Sequence, residues 1–438
     1  MPMKKAILLL SLLALVFDHV RADLLAEDAS KFLLPWDIPS KYVVKAVAGL
    51  SCTQYDFDDE HSLDEVQVFI VQAMVHPFSC FGHFLEFFGF SYNATEYIFR
   101  LKLWESNLRK IYRYNMNNTD GTFWDINHFT VFTPREIEDN TLGSNFEPQD
   151  QYPECHDLPT PENSPDPAPA SWDWRDYGVV TPVTWQNGGS CWAHATANFV
   201  GAYVLKNKLS NALDNSTIVS MQPILDCFPG NVTLNSVQYN LYYSNPCKGG
   251  FPDATIRYIQ AAPTPLTTNA TYPYKTDGDA GACSNPEDPK CNAYPETISP
   301  QFFLPDTSKM TLRNCALTED QLKQAIFTLG PLPIAVSVNS STLSRYNNEE
   351  LLSGRTSPYC STETDGLLNY NHAVLVVGYQ NSTKLADGTA AGGSFIIKNS
   401  WNTDWGVAGY GNWAFSSATN EYMQSSCGIA DKVVLPSI

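Results

Sequence analysis

One short segment near the middle of the chain constrains its fold more than any other: a glycine-rich turn that leads directly into a helix beginning at a cysteine. The turn is Gly188-Gly189-Ser190, and small apolar residues follow Cys191 with helical spacing. A thiol at a helix N-terminus lies at the positive end of the helix dipole, which favours the thiolate. Because the thiolate is the nucleophilic form of cysteine, the pattern predicts Cys191 as a catalytic nucleophile.

Two apolar runs further along the chain supply the groups that such a thiolate needs. One strand-like run begins at His372 and continues to Tyr379, and a second begins at Phe395 and ends at Asn399. Cysteine, histidine and asparagine in this chain order are typical of a thiol protease triad. We therefore interpret His372 as the general base and acid, and Asn399 as the residue that orients its imidazole.

Around these residues the chain resembles the papain and cathepsin L family of cysteine proteases. The resemblance is carried by three stretches: Gly189-Ser190-Cys191-Trp192, Asn371-His372-Ala373 and Lys398-Asn399-Ser400-Trp401. It implies an α+β, papain-like two-domain fold, in which a helical half carries the thiol, a β-barrel half carries the base and the active site lies in the cleft. It also implies that Trp401 shields the His372–Asn399 bond from water.

The chain offers a second histidine near the thiol. His194 follows Cys191 by about one helical turn, and it is the only other histidine after residue 169. Spacing alone does not exclude His194 as the base. We favour His372 because it opens an apolar strand in a pattern that resembles the catalytic histidine of the family.

The same resemblance assigns Gln186 to the oxyanion site, where its amide would donate together with the backbone N–H of Cys191. Here the chain departs from the family: between Gln186 and Cys191 one residue is missing, and so is a structural cysteine. Glycine adopts backbone angles that other residues avoid, so the two glycines of the turn are expected to let Gln186 reach the site.

The resemblance also implies where a peptide substrate binds. Gly249 and Gly250 would present their backbone to an extended peptide. The pocket for the second residue before the cut would have an apolar lining that favours Leu, Val or Phe: Phe251, Pro252, Ala335 and Ala373. Lys432 at the floor of this pocket would instead admit an acidic side chain, and the sequence leaves both preferences open.

The N-terminal third is predicted to be helical. Apolar residues at positions 97, 101, 104, 108 and 111 alternate in steps of four and three, which is the spacing of one helix face. Glu96 and Arg100 lie one turn apart and are expected to pair. An ordinary amphipathic helix accounts for the stripe alone. The polar spacing, however, resembles the ERFNIN helix of cathepsin L-type propeptides, with Trp104 in place of the usual Phe, which implies a helical inhibitory propeptide over residues 23–143.

Two segments flank this region. Residues 1–22 carry two lysines, a short apolar run and a small-residue cleavage site, which together predict a signal peptide. Residues 144–170 are rich in proline and acidic residues, a composition that proteases cleave easily. We interpret them as an activation linker, cut so that the catalytic domain of residues 171–438 begins near Pro165–Ser171.

A secreted chain can form disulfides, and this chain has 11 cysteines. The resemblance implies Cys227–Cys283 and Cys360–Cys427 pairs. It leaves three cysteines of the catalytic region without assigned partners, and either one of them is free or one reaches Cys155 in the linker: Cys247, Cys291 and Cys315. Several Asn-x-Ser/Thr sequons further indicate glycosylation.

The formal net charge of −19 argues against nucleic acid or an anionic membrane as a partner. No motif indicates a metal or other cofactor. The expected partners are protein and peptide substrates, the chain's own propeptide as an intramolecular inhibitor, and cystatin-like inhibitors. We expect a monomer in a lysosome or acidic vacuole, or outside the cell.

Three alternatives to a cysteine endopeptidase fit the sequence less well. Cathepsin B-like exopeptidases carry a histidine-bearing loop, but residues 195–371 contain no histidine. A catalytically impaired binding or storage protein of the same family is favoured only by the shortened loop between Gln186 and Cys191. A transglutaminase-type acyltransferase would have no place for the propeptide pattern. The sequence therefore favours an endopeptidase made as a zymogen.

Overall fold

A computed structural model of the chain describes residues 52–59, 61–117, 123–143, 154–234, 236–242, 246–261, 266–275, 302, 304, 311–346, 351–352, 359–361, 368–381, 383–384, 390–391, 393–415 and 426–437. The chain divides into two compact units. The first extends to Arg135 and includes the short stretch Arg345–Asn348, and the second contains Glu136–Ser344 and Glu349–Ile438. The predicted signal peptide lies outside the described residues.

The first unit is built on helices α1 (Leu63–Val75), α2 (Pro77–Phe87) and α3 (Ala94–Asn117). Short 3₁₀ turns cover Cys52–Gln54 and His128–Val131. Helix α1 begins with a capping box, in which Ser62 and Glu65 satisfy each other's backbone N–H groups. A Cys52–Cys80 disulfide ties the first 3₁₀ turn to α2.

The predicted apolar stripe lies on α3 and faces the core of this unit. Leu101, Trp104, Leu108 and Ile111 are buried, and the Arg100 Nε donates to Glu96 Oε1 at 2.7 Å. Polar members of the helix bind backbone carbonyls instead of water: Asn107 Nδ2 donates to Thr130 O and Phe132 O, and Asn115 Nδ2 donates to Trp124 O. The helix face and the Glu96–Arg100 pair are therefore confirmed, and the buried amides explain why the polar spacing is so specific.

The second unit begins with helix α4 (Pro134–Thr141), most of which belongs to it. Its other helices are α5 (Cys191–Lys206), α6 (Gln222–Cys227), α7 (Pro252–Ala261), α8 (Glu319–Leu329) and the short α9 (Ser340–Leu343). Helix α8 starts at a capping box of Thr318 and Gln321, and Gly330 is its C-cap.

Eight strands of this unit form one sheet. They are β1 (Ser171–Asp173), β4 (Thr311–Cys315), β5 (Leu332–Val336), β6 (Leu351–Leu352), β7 (His372–Gln380), β10 (Ser394–Lys398), β11 (Tyr410–Ala414) and β12 (Val433–Ser437). The order is β4-β12-β5-β7-β10-β11-β6, with β1 paired to β7. The central strand β7 is paired with both β5 and β10 in antiparallel register, which opposes Val336 to His372 and Lys398 to Leu375.

The described residues also contain two small hairpins: β2 (Asn231–Leu234) with β3 (Val237–Asn240), and β8 (Thr383–Lys384) with β9 (Ala390–Ala391). The first lies in a region for which the sequence predicted no strand. The strand-like runs that begin at His372 and at Phe395 are confirmed by β7 and β10. No helix among the described residues has both the length and the apolar character needed to cross a bilayer.

The disulfides of the structure resolve some of the cysteine pairings that the sequence left open. The second unit contains the expected Cys360–Cys427 bond, and Cys155 is joined to Cys315. Of the alternatives that the sequence left open, Cys315 therefore reaches the linker. Cys247 is also disulfide-bonded. Cys283 and Cys291 lie outside the described residues, so the Cys227–Cys283 pairing stays a prediction.

Candidate active site

The thiol lies where the sequence placed it, at the first residue of helix α5. Ser190 is the N-cap residue, and the backbone N–H groups of Ala193 and His194 donate to the Ser190 carbonyl. Cys191 is fully buried and packs with Ala195 on its own helix and with Ala373 on β7. Ala373 follows His372, so this contact brings the thiol to the start of the strand that carries the imidazole.

His372 and Asn399 are joined by a buried hydrogen bond. The imidazole Nε2 donates to Asn399 Oδ1 at 2.9 Å, and the Ser400 N–H donates to the same oxygen at 2.8 Å. The Trp401 ring centre lies 4.9 Å from that of His372, and both side chains are fully buried. A donor on each side fixes the Asn399 carbonyl, which therefore fixes the orientation of the imidazole.

Burial dominates the protonation of His372. It lowers the pKa of the imidazole to about 4, against the opposite effects of the Asn399 side chain and the Thr141 backbone. In this form of the chain the imidazole is therefore neutral at physiological pH.

Gln186 is held on both sides of its amide. Its Oε1 accepts from Ser400 Oγ at 2.6 Å, and its backbone N–H donates to the Ser400 carbonyl at 2.7 Å. Its Nε2 donates to the carbonyls of Thr141 at 2.9 Å and Gly188 at 3.0 Å. The side chain is buried, so the shortened turn still brings this donor to the site.

The backbone of residues 141–143, at the end of helix α4, also contacts the candidate site. The Gly143 N–H donates to the Asn371 carbonyl at 3.3 Å, and the Gly250 N–H donates to the Gly143 carbonyl at 3.1 Å. Residues 141–143 thus make β-like backbone contacts on both sides, one beside His372 and one at Gly250, which the sequence predicted to bind substrate.

Comparison with known families identifies this arrangement. The profile described as papain family cysteine protease matches residues 168–437, and the cathepsin propeptide inhibitor domain (I29) matches residues 81–137. The chain belongs to the papain family of cysteine proteases. Its I29 domain makes it a zymogen whose propeptide is an intramolecular inhibitor and whose substrates are proteins and peptides.

Similarity to individual proteins supports the same family assignment. The protease is 27% identical to cathepsin O of Mus musculus over 71% of this chain and 80% of that protein. It is 28% identical to cathepsin L of Sarcophaga peregrina over 79% of this chain and 88% of that protein. Its structure resembles the digestive procathepsin L2 proteinase of Tenebrio molitor with a TM-score of 0.58 and 26% identity, over 82% of this chain and 98% of that one. They support a cysteine endopeptidase with a papain-like α+β fold, and none of the three favours an impaired binding or storage protein.

The predicted pocket residues are only partly brought together. Phe251 and Ala335 pack in one apolar cluster with Leu368 and Tyr370, whereas Ala373 packs with Cys191 instead. Pro252 begins helix α7 and is buried. The Lys432 Nζ lies 4.8 Å from the centre of the Tyr370 ring, at the edge of this cluster.

A second group of buried polar side chains lies on and around helix α5, the helix that carries the thiol. His194 Nδ1 forms a 2.7 Å hydrogen bond with Thr184 Oγ1, and Lys398 Nζ donates to Asn198 Oδ1 at 2.7 Å and Thr181 Oγ1 at 3.1 Å. Burial, followed by the charges of Lys398 and His372, lowers the pKa of His194 to about 3. Burial lowers the pKa of Lys398 to about 7. Because the His194 ring is bonded to Thr184 and packs against Tyr274, and not against Asn399 as His372 does, it resembles a core histidine and not the base of the triad.

Sequence reasoning missed several groups in this site. Ser400 was treated only as part of a motif, although it holds both Gln186 and Asn399. Tyr370 belongs to no motif, although it packs with Ala335 and Phe251 in the apolar cluster. No local pattern indicates that residues 141–143 lie at the site, because that contact depends on tertiary structure.

Proposed function

We propose that Cys191 is the nucleophile of this protease and that His372 is its general base and acid, oriented by Asn399. The observation that carries the proposal is the buried 2.9 Å bond from His372 Nε2 to Asn399 Oδ1, with Trp401 packed beside it. The contact of Cys191 with Ala373 supports it, because it places the thiol at the residue next to His372.

The reaction then has two stages. The Cys191 sulfur attacks the carbonyl carbon of the scissile peptide bond, and the carbonyl electron pair moves onto oxygen. His372 gives its proton to the departing amine nitrogen, which leaves a thioester on Cys191. In the second stage His372 removes a proton from water, the resulting hydroxide attacks the thioester, and the acid product leaves Cys191 as the thiolate.

Gln186 is proposed as the side-chain donor to the oxyanion. The contact that supports this role is its Nε2 donating to a peptide carbonyl, that of Thr141, next to the catalytic residues. A substrate carbonyl in the same place would receive the same hydrogen bond, together with one from the Cys191 N–H at the start of helix α5.

The apolar cluster of Phe251, Ala335, Leu368 and Tyr370 is proposed to receive the second residue before the cut. Leu, Val or Phe fits such a lining. Lys432 at its edge favours a subsidiary tolerance for Glu, and hydrolysis of matched peptides that differ only at this residue distinguishes the two preferences. Gly249 and Gly250 are proposed to bind the substrate backbone, as Gly250 binds Gly143.

The chain is proposed to enter the secretory pathway through a signal peptide at residues 1–22 and to act in an acidic vesicle or outside the cell. We propose an inhibitory propeptide over residues 23–143, cleavage within residues 144–170, and a catalytic domain that includes residues 171–438. Cystatin-like proteins are proposed as inhibitors, glycans as modifications and the monomer as the active form.

Contacts of residues 154–170 bear on where that cleavage occurs. Cys155 is bonded to Cys315 and donates its N–H to Ala316 O, while Gln321 Nε2 donates to Cys155 O at 2.9 Å. Further on, Gln324 accepts from the Ala168 N–H at 2.9 Å. A segment fixed in this way is a poor protease substrate, because cleavage requires an extended and accessible backbone.

We therefore expect activation to cut before Cys155, so that the mature enzyme retains residues 155–170. The measurement is peptide mapping of the acid-activated protein by mass spectrometry, with and without reduction of disulfides. The control is the Cys155→Ser/Cys315→Ser double variant, which is expected to be trimmed further toward Ser171. A wild-type mature chain beginning at Pro165–Ser171 and lacking every peptide with Cys155 would refute this position.

The proposed catalytic roles are tested by labelling the acid-activated protein with an epoxysuccinyl thiol-protease probe and mapping the modified residue. We expect modification at Cys191, and its loss in His372→Ala. Absence of labelling in wild-type protein whose propeptide has been removed would reject Cys191 as an activated nucleophile.

A further inference from the structure

The backbone between Gln186 and Cys191 is the part of the site that determines whether both oxyanion donors point at the same atom. It contains two consecutive glycines, and Gly188 has a φ of +64° in the left-handed region. No cysteine lies between Gln186 and Cys191 to crosslink it. Such a short, glycine-rich stretch is intrinsically mobile in the absence of tertiary contacts, because glycine retains more backbone freedom than other residues.

Two groups from elsewhere in the fold form hydrogen bonds with this turn. On one side the Gly189 N–H donates to the Cys247 carbonyl at 2.7 Å. On the other side a single hydroxyl, that of Tyr274, binds both ends of the turn. It accepts from the Asn187 N–H at 2.8 Å and shares a 3.0 Å hydrogen bond with Ser190 Oγ. Ser190 Oγ also donates to the Asn187 carbonyl at 3.0 Å, which closes the network.

The two residues that Tyr274 binds are each next to an oxyanion donor. Asn187 follows Gln186, whose side chain supplies Nε2, and Ser190 precedes Cys191, whose backbone supplies the N–H. One oxygen atom therefore fixes the separation of the two donors.

The Tyr274 ring is itself held in place. Its backbone N–H donates to Asn269 Oδ1 at 2.8 Å, and the N–H of the next residue, Lys275, donates to Gln222 Oε1 at 3.1 Å. The edge of the ring meets His194, with ring centres 5.0 Å apart. A fixed hydroxyl can orient a flexible turn, whereas a mobile one cannot.

We propose that Tyr274 is a positioning residue for catalysis, and that its hydroxyl aligns the two oxyanion donors through Asn187 and Ser190. The inference rests on the proposed roles of Gln186 and Cys191. Tyr274 touches neither the substrate nor the thiol in this proposal, so its removal should weaken stabilisation of the tetrahedral intermediate while leaving substrate binding and thiol reactivity in place.

The test is Tyr274→Phe, which removes the hydroxyl alone. In the activated enzyme we expect kcat to fall by about 10- to 100-fold with KM changed by less than about threefold, because misaligned oxyanion donors act in the transition state. Affinity for a peptide aldehyde, which forms a tetrahedral adduct with the thiol, should fall in parallel. Alkylation by iodoacetamide, which forms no oxyanion, should keep the wild-type rate.

The matched control is Tyr272→Phe, because Tyr272 lies two residues away and its hydroxyl donates to Asp226 Oδ2 at 2.9 Å instead of to the turn. It should leave kcat, aldehyde affinity and alkylation unchanged. Ser190→Ala provides a second variant, and if it acts through the same network, its effect and that of Tyr274→Phe will not multiply in the double variant.

Three outcomes overturn the proposal: wild-type kcat in Tyr274→Phe, an equal loss in Tyr272→Phe, or alkylation reduced as much as kcat, which would indicate a structural role. If wild-type enzyme hydrolyses peptides and Tyr274→Phe matches it, only this inference fails. If wild-type Cys191 does not react with the epoxysuccinyl probe, the proposed function itself fails.

Discussion

Replacement of His372 by alanine is expected to reduce kcat/KM for a peptide substrate by about 10⁴- to 10⁶-fold, the range seen when a member of a catalytic triad is removed. The loss is large because the imidazole has two functions in the proposed reaction. Without the imidazole, Cys191 loses the group that stabilises its thiolate, and the departing amine loses its proton donor. The variant should also fail to process its own propeptide, so that an added active protease is needed to mature it.

His194 supplies the control, since it is the other histidine near the thiol in the sequence. Its ring bonds to Thr184 and meets Tyr274 at its edge. His194→Phe keeps an aromatic ring of similar size there, and its kcat/KM should stay within about tenfold of wild type, because a lost neutral hydrogen bond is worth only about 1 kcal/mol. Initial rates with one fluorogenic peptide compare the variants. A loss in His194→Phe as large as that in His372→Ala would show that the wrong histidine was assigned.

Several elements of the fold can be predicted from local sequence. The α3 stripe, the Thr318 capping box and the strands at 332–336, 372–380 and 394–398 are all short-range patterns, in which side-chain period and capping chemistry are visible in one window. The β2–β3 hairpin at residues 231–240 was missed because each strand is only four residues long and neither has a buried residue, so no core-facing pattern marks them. Strand order was not predictable, since it is set by which apolar faces meet in three dimensions.

The candidate site likewise contains residues that the sequence predicts and residues that it does not. Cys191, His372, Asn399 and Gln186 occupy motifs, and the structure brings their surroundings together. The residues that support them occupy no motif. The Tyr274 hydroxyl accepts from the backbone N–H of Asn187, which is 87 positions away, and the Thr141 carbonyl accepts from the Gln186 amide, which is 45 positions away. Supporting groups of this kind act through geometry, and any polar residue at the right place can serve. Nothing in their local sequence therefore marks them.

The second large effect is expected at Gly143, at the end of the proposed propeptide. Its backbone is bound on both sides, by Asn371 and by Gly250, and a Cβ added to it would lie well inside van der Waals contact with the backbone of Gly189. Backbone atoms cannot rotate away as a side chain can. Gly143→Ala should therefore displace residues 141–143 from the site and free Gln186 Nε2 from the Thr141 carbonyl.

The measurement is the rate at which an epoxysuccinyl probe labels Cys191 in the proenzyme at neutral pH, with the chain shown to be intact by its mass at each time point. Overpacking costs about 1–3 kcal/mol, so labelling should become about 10- to 100-fold faster in Gly143→Ala. Gly82→Ala is the matched control, since a Cβ at Gly82 would meet no atom within 4 Å. After activation all three proteins should hydrolyse peptides equally, because neither position is retained in the proposed mature chain. Equal labelling of the two variants would mean that residues 141–143 do not close the site, and that inhibition comes from another part of the propeptide.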